Sequence, residues 1–287
     1  MPNNLDAITP EFMSLNTQLT RDKSGVFSQL VNKAFETERT YGDTVLVPVH
    51  SDFTIGDAND DGTDNSVEDR TPTVETLLID KHKYALAHYG DAELQLLKSS
   101  ASFMEAESRK MGEGLAEELD RTLLAQIKAD ANDSLGVLGG GVTDALLQDI
   151  AEAFDDEEVP EDERFAVFPT AGKKQILAID KFTTPASRSQ QQIELLENGM
   201  ARSTVKNYLG EFYGTKVFRS GLFTAEAGSP TAYKAVAFSR SSLALVVVQD
   251  VQFEMDRRLR AIGTDALAHT HYGHKVVRPD EAWVVNI

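Results

Sequence analysis

The sequence predicts an α+β protein, and two observations carry that expectation. One stretch of thirty residues, Ala101 to Asp130, has helical periodicity, and β-rich runs lie on both sides of it, from Thr44 to His88 and from Thr215 to the C-terminus. In the long stretch apolar residues fall at Met104, Met111, Leu115, Leu119, Leu123 and Ile127, in steps of three or four that mark one helix face. Ser102 and Glu105 have the spacing of a capping box at its start. At 1.5 Å per residue the helix is roughly 45 Å long, more than a small round domain needs. Gly112 and Gly114 sit inside it. Each costs about 1 kcal/mol relative to alanine. A bend or a closely approaching backbone is therefore expected at these positions.

Before the helix, residues 1–22 are polar and read as an extended arm. Val26, Phe27, Leu30, Val31, Ala34 and Phe35 then predict a short amphipathic helix ending near Thr40. Thr44 to His50 is β-rich, and Pro48 confines it to an edge because proline cannot donate to a ladder. A polar, acidic stretch follows from Ser51 to Pro72, and strand character resumes at Thr73 and continues through Lys81 to His88. Two strands joined by an insert of about 20 residues predict a long hairpin arm; loops of that length are usually functional or mobile.

After the helix, Leu135 to Gly141 holds three consecutive glycines and predicts a subdomain boundary. Thr143 to Phe154 reads as a helix capped by Thr143, with Leu146, Leu147, Ile150, Ala151 and Phe154 on its apolar face. Arg164 to Pro169 predicts a short buried strand and Ala171 to Ile179 a helix. Strands are then expected at Thr215 to Arg219, Tyr233 to Phe238 and Leu243 to Val248. The last is an unbroken apolar run suited to cover on both faces. A long strand with one solvated face starts at Val251, and Thr270 to Val277 and Trp283 to Val285 add two more. No repeat is found at the periods typical of solenoids.

Composition removes several function classes. The chain has 287 residues, 41% of them hydrophobic and 26% charged, enough apolar content for a packed core. Its formal net charge of −18 argues against a free nucleic-acid binder, which needs basic residues to displace counterions, and against an anionic membrane as partner. The absence of cysteine excludes disulfides, thiolate metal sites and cysteine nucleophiles. No secretory signal is read at Met1 to Phe12, and no apolar run reaches the ~20 residues that span a bilayer.

Few residues suggest chemistry. Asp57, Asn59, Asp61, Gly62 and Glu68 fit the calcium-loop pattern D-x-[DN]-x-[DN]-G-x5-E, with Asp64 a further oxygen donor. Calcium is thus the one cofactor the sequence suggests. Asp64 also stands where such loops carry an apolar residue, and the flanks read as strands. An acidic, solvated tip that keeps the hairpin from pairing wrongly is the favoured reading. His269, His271 and His274 cluster near the C-terminus; His269 and His271 share a strand face, and a polar surface or subunit contact is favoured over zinc. Arg257, Arg258 and Arg260 follow Glu254 and Asp256, a charge pattern read as pairing with a neighbouring copy rather than as a phosphate site. There is no GxSxG or HExxH, Gly139 to Gly141 is not followed by GK[ST], and no carboxylate pair stands out among 46 acidic residues. No catalytic site is expected.

The order of parts nevertheless resembles a known family. Tyr41-Gly-Asp-Thr-Val-Leu-Val-Pro48 precedes the insert. Leu77-Leu-Ile-Asp-Lys-His-Lys83 precedes a helix containing Ala116-Glu-Glu-Leu-Asp120. Phe238, Tyr272-Gly-His-Lys-Val-Val-Arg-Pro279 and Trp283-Val-Val285 follow late in the chain. This looks like the major capsid protein of tailed bacteriophages, with the Hong Kong 97-like fold. The resemblance implies an N-terminal arm (1–43), an extended hairpin loop (44–90), a peripheral domain (91–135 and 245–287) built on the long spine helix, and an axial domain (136–244). It implies self-assembly as pentamers and hexamers into an icosahedral virion head in the host cytoplasm. Scaffolding protein, portal protein and a decoration protein are the implied partners, with packaged DNA touched weakly and nonspecifically. Some relatives weld subunits through a hairpin lysine. No lysine lies between Val45 and Asp80, and Lys81 and Lys83 are at the base, so no such link is expected. Too few residues precede the hairpin for a fused scaffold, so a separate one is expected. Two other readings are an encapsulin-like nanocompartment shell and a calcium-binding adhesion or decoration protein.

Overall fold

The computed structural model describes residues 17, 25–37, 43–49, 55, 73–91, 100–179, 207–226, 232–258 and 262–287. In chain order these form a single helical turn α1 (Phe27–Leu30), strands β1 (Thr44–Val49), β2 (Thr73–Leu78) and β3 (Lys81–Gly90), and the long helix α2 (Ser100–Asp130). Then come β4 (Asp133–Leu135), α3 (Asp144–Asp156), β5 (Arg164–Pro169), α4 (Lys173–Ala178), β6 (Tyr208–Phe212), β7 (Thr215–Ser220) and β8 (Lys234–Ser239). The C-terminal strands are β9 (Leu243–Arg258), β10 (Gly263–Val276) and β11 (Ala282–Asn286). Three sheets result: an antiparallel pair β1-β2, an antiparallel β3-β10-β9 sheet, and a mixed six-stranded sheet ordered β4-β11-β8-β5-β7-β6. The arrangement is mixed α+β, as expected.

Helix α2 joins two cores. Met104, Met111 and Leu115 pack over Val251, Phe253, Ala266 and Ala268 of the three-stranded sheet. One to two turns further on, Leu119, Leu123, Leu124 and Ile127 enter a second core with Phe27, Phe165, Phe218, Phe238 and Tyr272. Small residues on the sheet (Ala85, Ala87, Ala266, Ala268) let the first half lie close. Glu105–Arg109 at 3.0 Å and Glu117–Arg121 at 2.9 Å line the solvated face at i,i+4 spacing. The helix begins at Ser100, so Ser102 lies inside its first turn and the capping box read there is not the helix start.

The two helix glycines separate cleanly. A Cβ at Gly112 would collide with the backbone carbonyl oxygen of Thr17, whereas a Cβ at Gly114 meets nothing within 4 Å. Gly112 is a close-approach position; Gly114 is open. Gly114→Ala should therefore raise stability by about 0.5–1 kcal/mol through helix propensity. Gly112→Ala should instead push Thr17 off the helix. Thermal unfolding and limited proteolysis of the N-terminal segment check the pair, and equal behaviour of both variants would refute the assignment.

A third core, under the six-stranded sheet, is capped by α3. Thr143 accepts from Leu146 N at 3.2 Å and starts that helix, and Leu146, Leu147, Ile150, Ala151 and Phe154 are buried as the periodicity predicts. Phe154 meets Trp283 edge-to-face at 4.9 Å between ring centres.

Four readings are corrected. Among the described residues, the helix expected from Val26 to Thr40 is one α turn and a 3-10 turn at Ala34–Thr37, because Asn32 leaves the helical path to bridge Ala244. The strand from Thr73 does not continue through His88: the chain changes sheets at Ile79–Asp80, β2 pairing with β1 and β3 with β10. Leu243 to Val248 and the run from Val251 form one strand of 16 residues, β9. Thr270 to Val277 is only the end of β10, which starts at Gly263.

Candidate assembly surfaces

Three features protrude from or wrap this body. The first is the N-terminal segment, clamped at three points. Thr17 is fully buried, and its hydroxyl donates to the Ser108 carbonyl at 3.1 Å beside Gly112. The Asp120 carboxylate accepts from Val26 N at 2.6 Å and Ser28 N at 3.1 Å, capping α1 from the flank of α2. Asn32 then exchanges two backbone bonds with β9, its N–H donating to Leu243 O at 3.0 Å and its carbonyl accepting from Leu245 N at 2.9 Å. Burial pushes the Asp120 carboxyl up to about 6, against the backbone N–H groups and the more distant Lys33, which act to lower it. Beside the clamp lies a hollow of about 370 Å³ lined by Glu113, Glu117, Asp120, Asn207 and Ser220. Glu113 and Glu117 pair with Lys110 and Arg121.

The second feature is the β1-β2 hairpin. Val45, Val47, Leu77 and Ile79 pack on Ala244 and Val246 of β9. Alternation then turns Leu46, Val74 and Leu78 outward, Leu46 being 61% exposed. Lys275 of β10 holds the hairpin through Glu75 at 2.6 Å and Thr76 O at 3.2 Å. The calcium-loop residues Asp57, Asn59, Asp61, Asp64 and Glu68 lie outside the described residues, as does Arg260; Ile55 is described and exposed.

The third feature is the face of the β3-β10-β9 sheet turned away from α2. The register aligns His82 with His271, Tyr84 with His269, Leu86 with Leu267 and His88 with Asp265. Tyr84 is 70% exposed. His82 supplies the neighbour that the sequence assigned to His274: its ring centre is 5.6 Å from His269 and 5.5 Å from His271. His274 sits beyond a register shift in β10, with its ring 6.1 Å from that of Tyr272, and burial holds its imidazole below the ordinary range. Among the described residues no group of three His, Asp or Glu is arranged to hold a metal ion. Within the chain, Arg257 pairs with Asp91 at 2.7 Å and Arg258 with Asp265 at 3.6 Å, both arginines staying largely exposed.

No family model matches the chain, and no curated protein sequence matches it. Solved structures do. Mycobacterium phage Che8 superposes with a TM-score of 0.69 at 21% identity, covering 91% of this chain and 90% of that one. The capsid structure of cyanophage P-SCSP1u gives 0.63 at 16% identity, over 92% and 88%. The fold is that of phage capsid subunits. The virus-like particle from Pyrococcus furiosus shares it as well, with a TM-score of 0.60 at 14% identity, over 96% and 98%. In a capsid fold the features worth reading are extended surfaces, and the sequence left three of their key residues unread. Asp120 is a lone acid at a position flanked by Ala116, Leu123 and Leu124 on the apolar side of α2, which is a legible signal. His82 belongs to the alternating set His82, Tyr84, Leu86, His88, also legible once β3 is placed. The burial of Thr17 has no signal in its own neighbourhood.

Proposed function

We propose that this chain is the major capsid protein of a tailed phage, a structural subunit without a catalytic site that assembles into the icosahedral head around the genome. The observation that carries the reading is the likeness to capsid chains over about nine-tenths of both partners. A second support is physical. A repeated shell needs wide contacts, and the clamped N-terminal segment, the hairpin and the open sheet face offer them. In this reading 1–43 is the N-terminal arm and 44–90 the extended hairpin loop. Residues 91–135 with 245–287 are the peripheral domain on its spine helix, and 136–244 the axial domain around the five-fold and six-fold axes. Pentamers and hexamers of the chain, a separate scaffolding protein, a portal and a decoration protein are its partners. Assembly takes place in the host cytoplasm, and the net charge of −18 suits an inner wall that does not grip DNA.

Negative-stain microscopy of the expressed chain, alone and with a scaffolding protein, tests this reading. Closed shells are expected, and a soluble particle that never assembles under any condition overturns it. The nanocompartment and adhesion or decoration readings are not favoured, since the phage chains of Che8 and P-SCSP1u superpose with higher TM-scores than the virus-like particle. Calcium at Asp57, Asn59, Asp61, Asp64 and Glu68 stays a separate proposal: chelation should lower the melting temperature of the shell, and Asp61→Ala should abolish that response. Melting curves unchanged by chelator would remove the ion.

A further inference from the structure

Among the described residues the chain passes at three places between the three-stranded sheet with its helix α2 and the six-stranded sheet. Residues 131–132 lead from α2 to β4, residues 240–242 from β8 to β9, and residues 277–281 from β10 to β11. All three crossings are bonded to one another. Asn132 Nδ2 in the first donates to the Asp280 carboxylate in the third. The Ser242 carbonyl in the second accepts from Val277 N at 2.7 Å and from Arg278 N at 3.3 Å. Ser242 is itself folded back on the end of β8, its N–H donating to Ser239 Oγ at 3.0 Å and its hydroxyl to the Ser239 carbonyl at 2.8 Å.

Glu281 stands at the centre of this meeting point. It is 8% exposed, and Ser239 and Ser242 are fully buried. Its Oε2 accepts from Ser239 Oγ and from Ser241 Oγ, the latter at 2.6 Å, and its Oε1 accepts from Arg278 Nη1 at 2.7 Å. Ser239 Oγ already accepts from Ser242 N, which leaves its proton for the carboxylate. A carboxylate only accepts, so it takes all three donors; an amide in its place has one acceptor oxygen and turns N–H groups against either Arg278 or the hydroxyls. An ionised side chain withdrawn from water adds little net stability even when fully bonded. What the network supplies is direction. Leu123, Ile127, Phe238, Leu245 and Tyr272 form an apolar core shared by the two sheets, and that core holds them together. Apolar burial is non-directional, whereas hydrogen bonds weaken steeply off axis.

We propose that Glu281 is a positioning residue that locks the angle between the two sheets by tying the crossing at 240–242 to the crossing at 277–281. Within one subunit the lock selects a single angle among those the shared core tolerates. Its consequence for assembly rests on the shell reading: the angle sets the curvature each copy contributes, so the lock narrows the range of particle diameters.

The test uses the full chain, which has no cysteine and so takes spin labels only where they are placed. Tyr84→Cys on β3 and Glu152→Cys on α3, both exposed, report the distance between the two bodies by pulsed electron double resonance, with unlabelled chain added to dilute contacts between copies. The otherwise wild-type chain should give one narrow distance peak. Glu281→Gln should broaden it about twofold or more. A wild-type width in folded Glu281→Gln overturns the inference. If that variant fails to fold by circular dichroism, Ser241→Ala, which removes one donor, decides in the same way: a broader peak supports the lock and an unchanged one overturns it. Ile150→Val, buried beneath the six-stranded sheet and away from the crossings, should lower the melting temperature without broadening the peak. Broadening equal to that of Glu281→Gln would reduce Glu281 to general stability and overturn its positioning role. In microscopy Glu281→Gln should form particles of more varied diameter, and particles as uniform as wild type overturn the inference as well. Wild type forming no particles overturns the shell reading, and the distance measurement alone then decides the lock.

Discussion

Replacing Asp120 by alanine is expected to loosen the N-terminal segment from α2 and to cost the subunit about 2–4 kcal/mol, because two buried N–H donors lose a charged acceptor. The donors are Val26 N and Ser28 N, and the residues around them, Val26, Phe27 and Leu30, are part of the core shared with Leu119, Leu123 and Phe238. Losing the cap therefore unseats apolar side chains as well as two hydrogen bonds. The pH dependence is a sharper signature. Burial raises the Asp120 carboxyl to about 6 from an ordinary 3.8, so the folded chain holds a proton the unfolded chain releases. The stability this contributes is fully present below the unfolded value and is lost as pH rises through about 6. Two units correspond to about 3 kcal/mol at most. Denaturant unfolding between pH 4 and 7 should show this slope in wild type and a flatter one in Asp120→Asn, which keeps one acceptor oxygen and no titration. Parallel curves for the two proteins would show that Asp120 is not the titrating group. Glu281 contributes in the opposite sense at lower pH. Burial raises it, but Ser239, Ser241 and Arg278 outweigh burial and hold it below its ordinary value, so its contribution fades on further acidification.

These two carboxylates also mark where sequence reading stops. α2 is legible because one stripe of Met104, Met111, Leu115, Leu119, Leu123 and Ile127 serves two cores in succession, and periodicity does not depend on which core it meets. α3 is legible for the same reason, with Thr143 capping it through a bond to Leu146 N. The N-terminal helix is not, since its backbone is claimed by contacts far away in sequence, the Asp120 carboxylate at Val26 and Ser28 and the β9 bridge at Asn32. Strand existence is legible along the C-terminal third, but strand extent is not. Gln249 and Asp250 interrupt the apolar run without ending β9, because a register shift between His269 and Tyr272 absorbs them. β4 escapes notice because Asp133-Ser-Leu135 carries no pattern; its parallel pairing with Trp283 to Val285 makes it a strand. Of the candidate surfaces, the paired face of His269 and His271 is readable from alternation. The third histidine is not His274 but His82, which only the cross-strand register reveals. Charge sums carry less information: Arg257 and Arg258 look free in sequence, yet Asp91 and Asp265 fold next to them.

Deleting Ile55 to Arg70 is expected to leave a folded subunit that assembles poorly. The strands that close the hairpin lie outside the deletion: β1 and β2 keep their full register from Thr44–Leu78 to Val49–Thr73. Their buried face, Val45, Val47, Leu77 and Ile79 against Ala244 and Val246, also stays intact. Shortening the connection reduces the entropy of closing it, so subunit stability should change by no more than about 1 kcal/mol, and upward. Assembly responds differently in the proposed shell, where each subunit would both give and receive a hairpin contact. Losing even about 1.4 kcal/mol per contact shifts each association step tenfold, and the steps multiply around a ring of copies. Sedimentation and microscopy of the deletion should therefore show a monomer with an unchanged melting temperature and at least tenfold weaker assembly. Shells forming at the wild-type concentration would show that the hairpin tip contributes nothing to assembly. A deletion that fails to fold would instead place residues 55–70 in the subunit core, at odds with the exposed Ile55 and with outward-facing Leu46, Val74 and Leu78. The two failures are told apart by circular dichroism before any assembly is attempted.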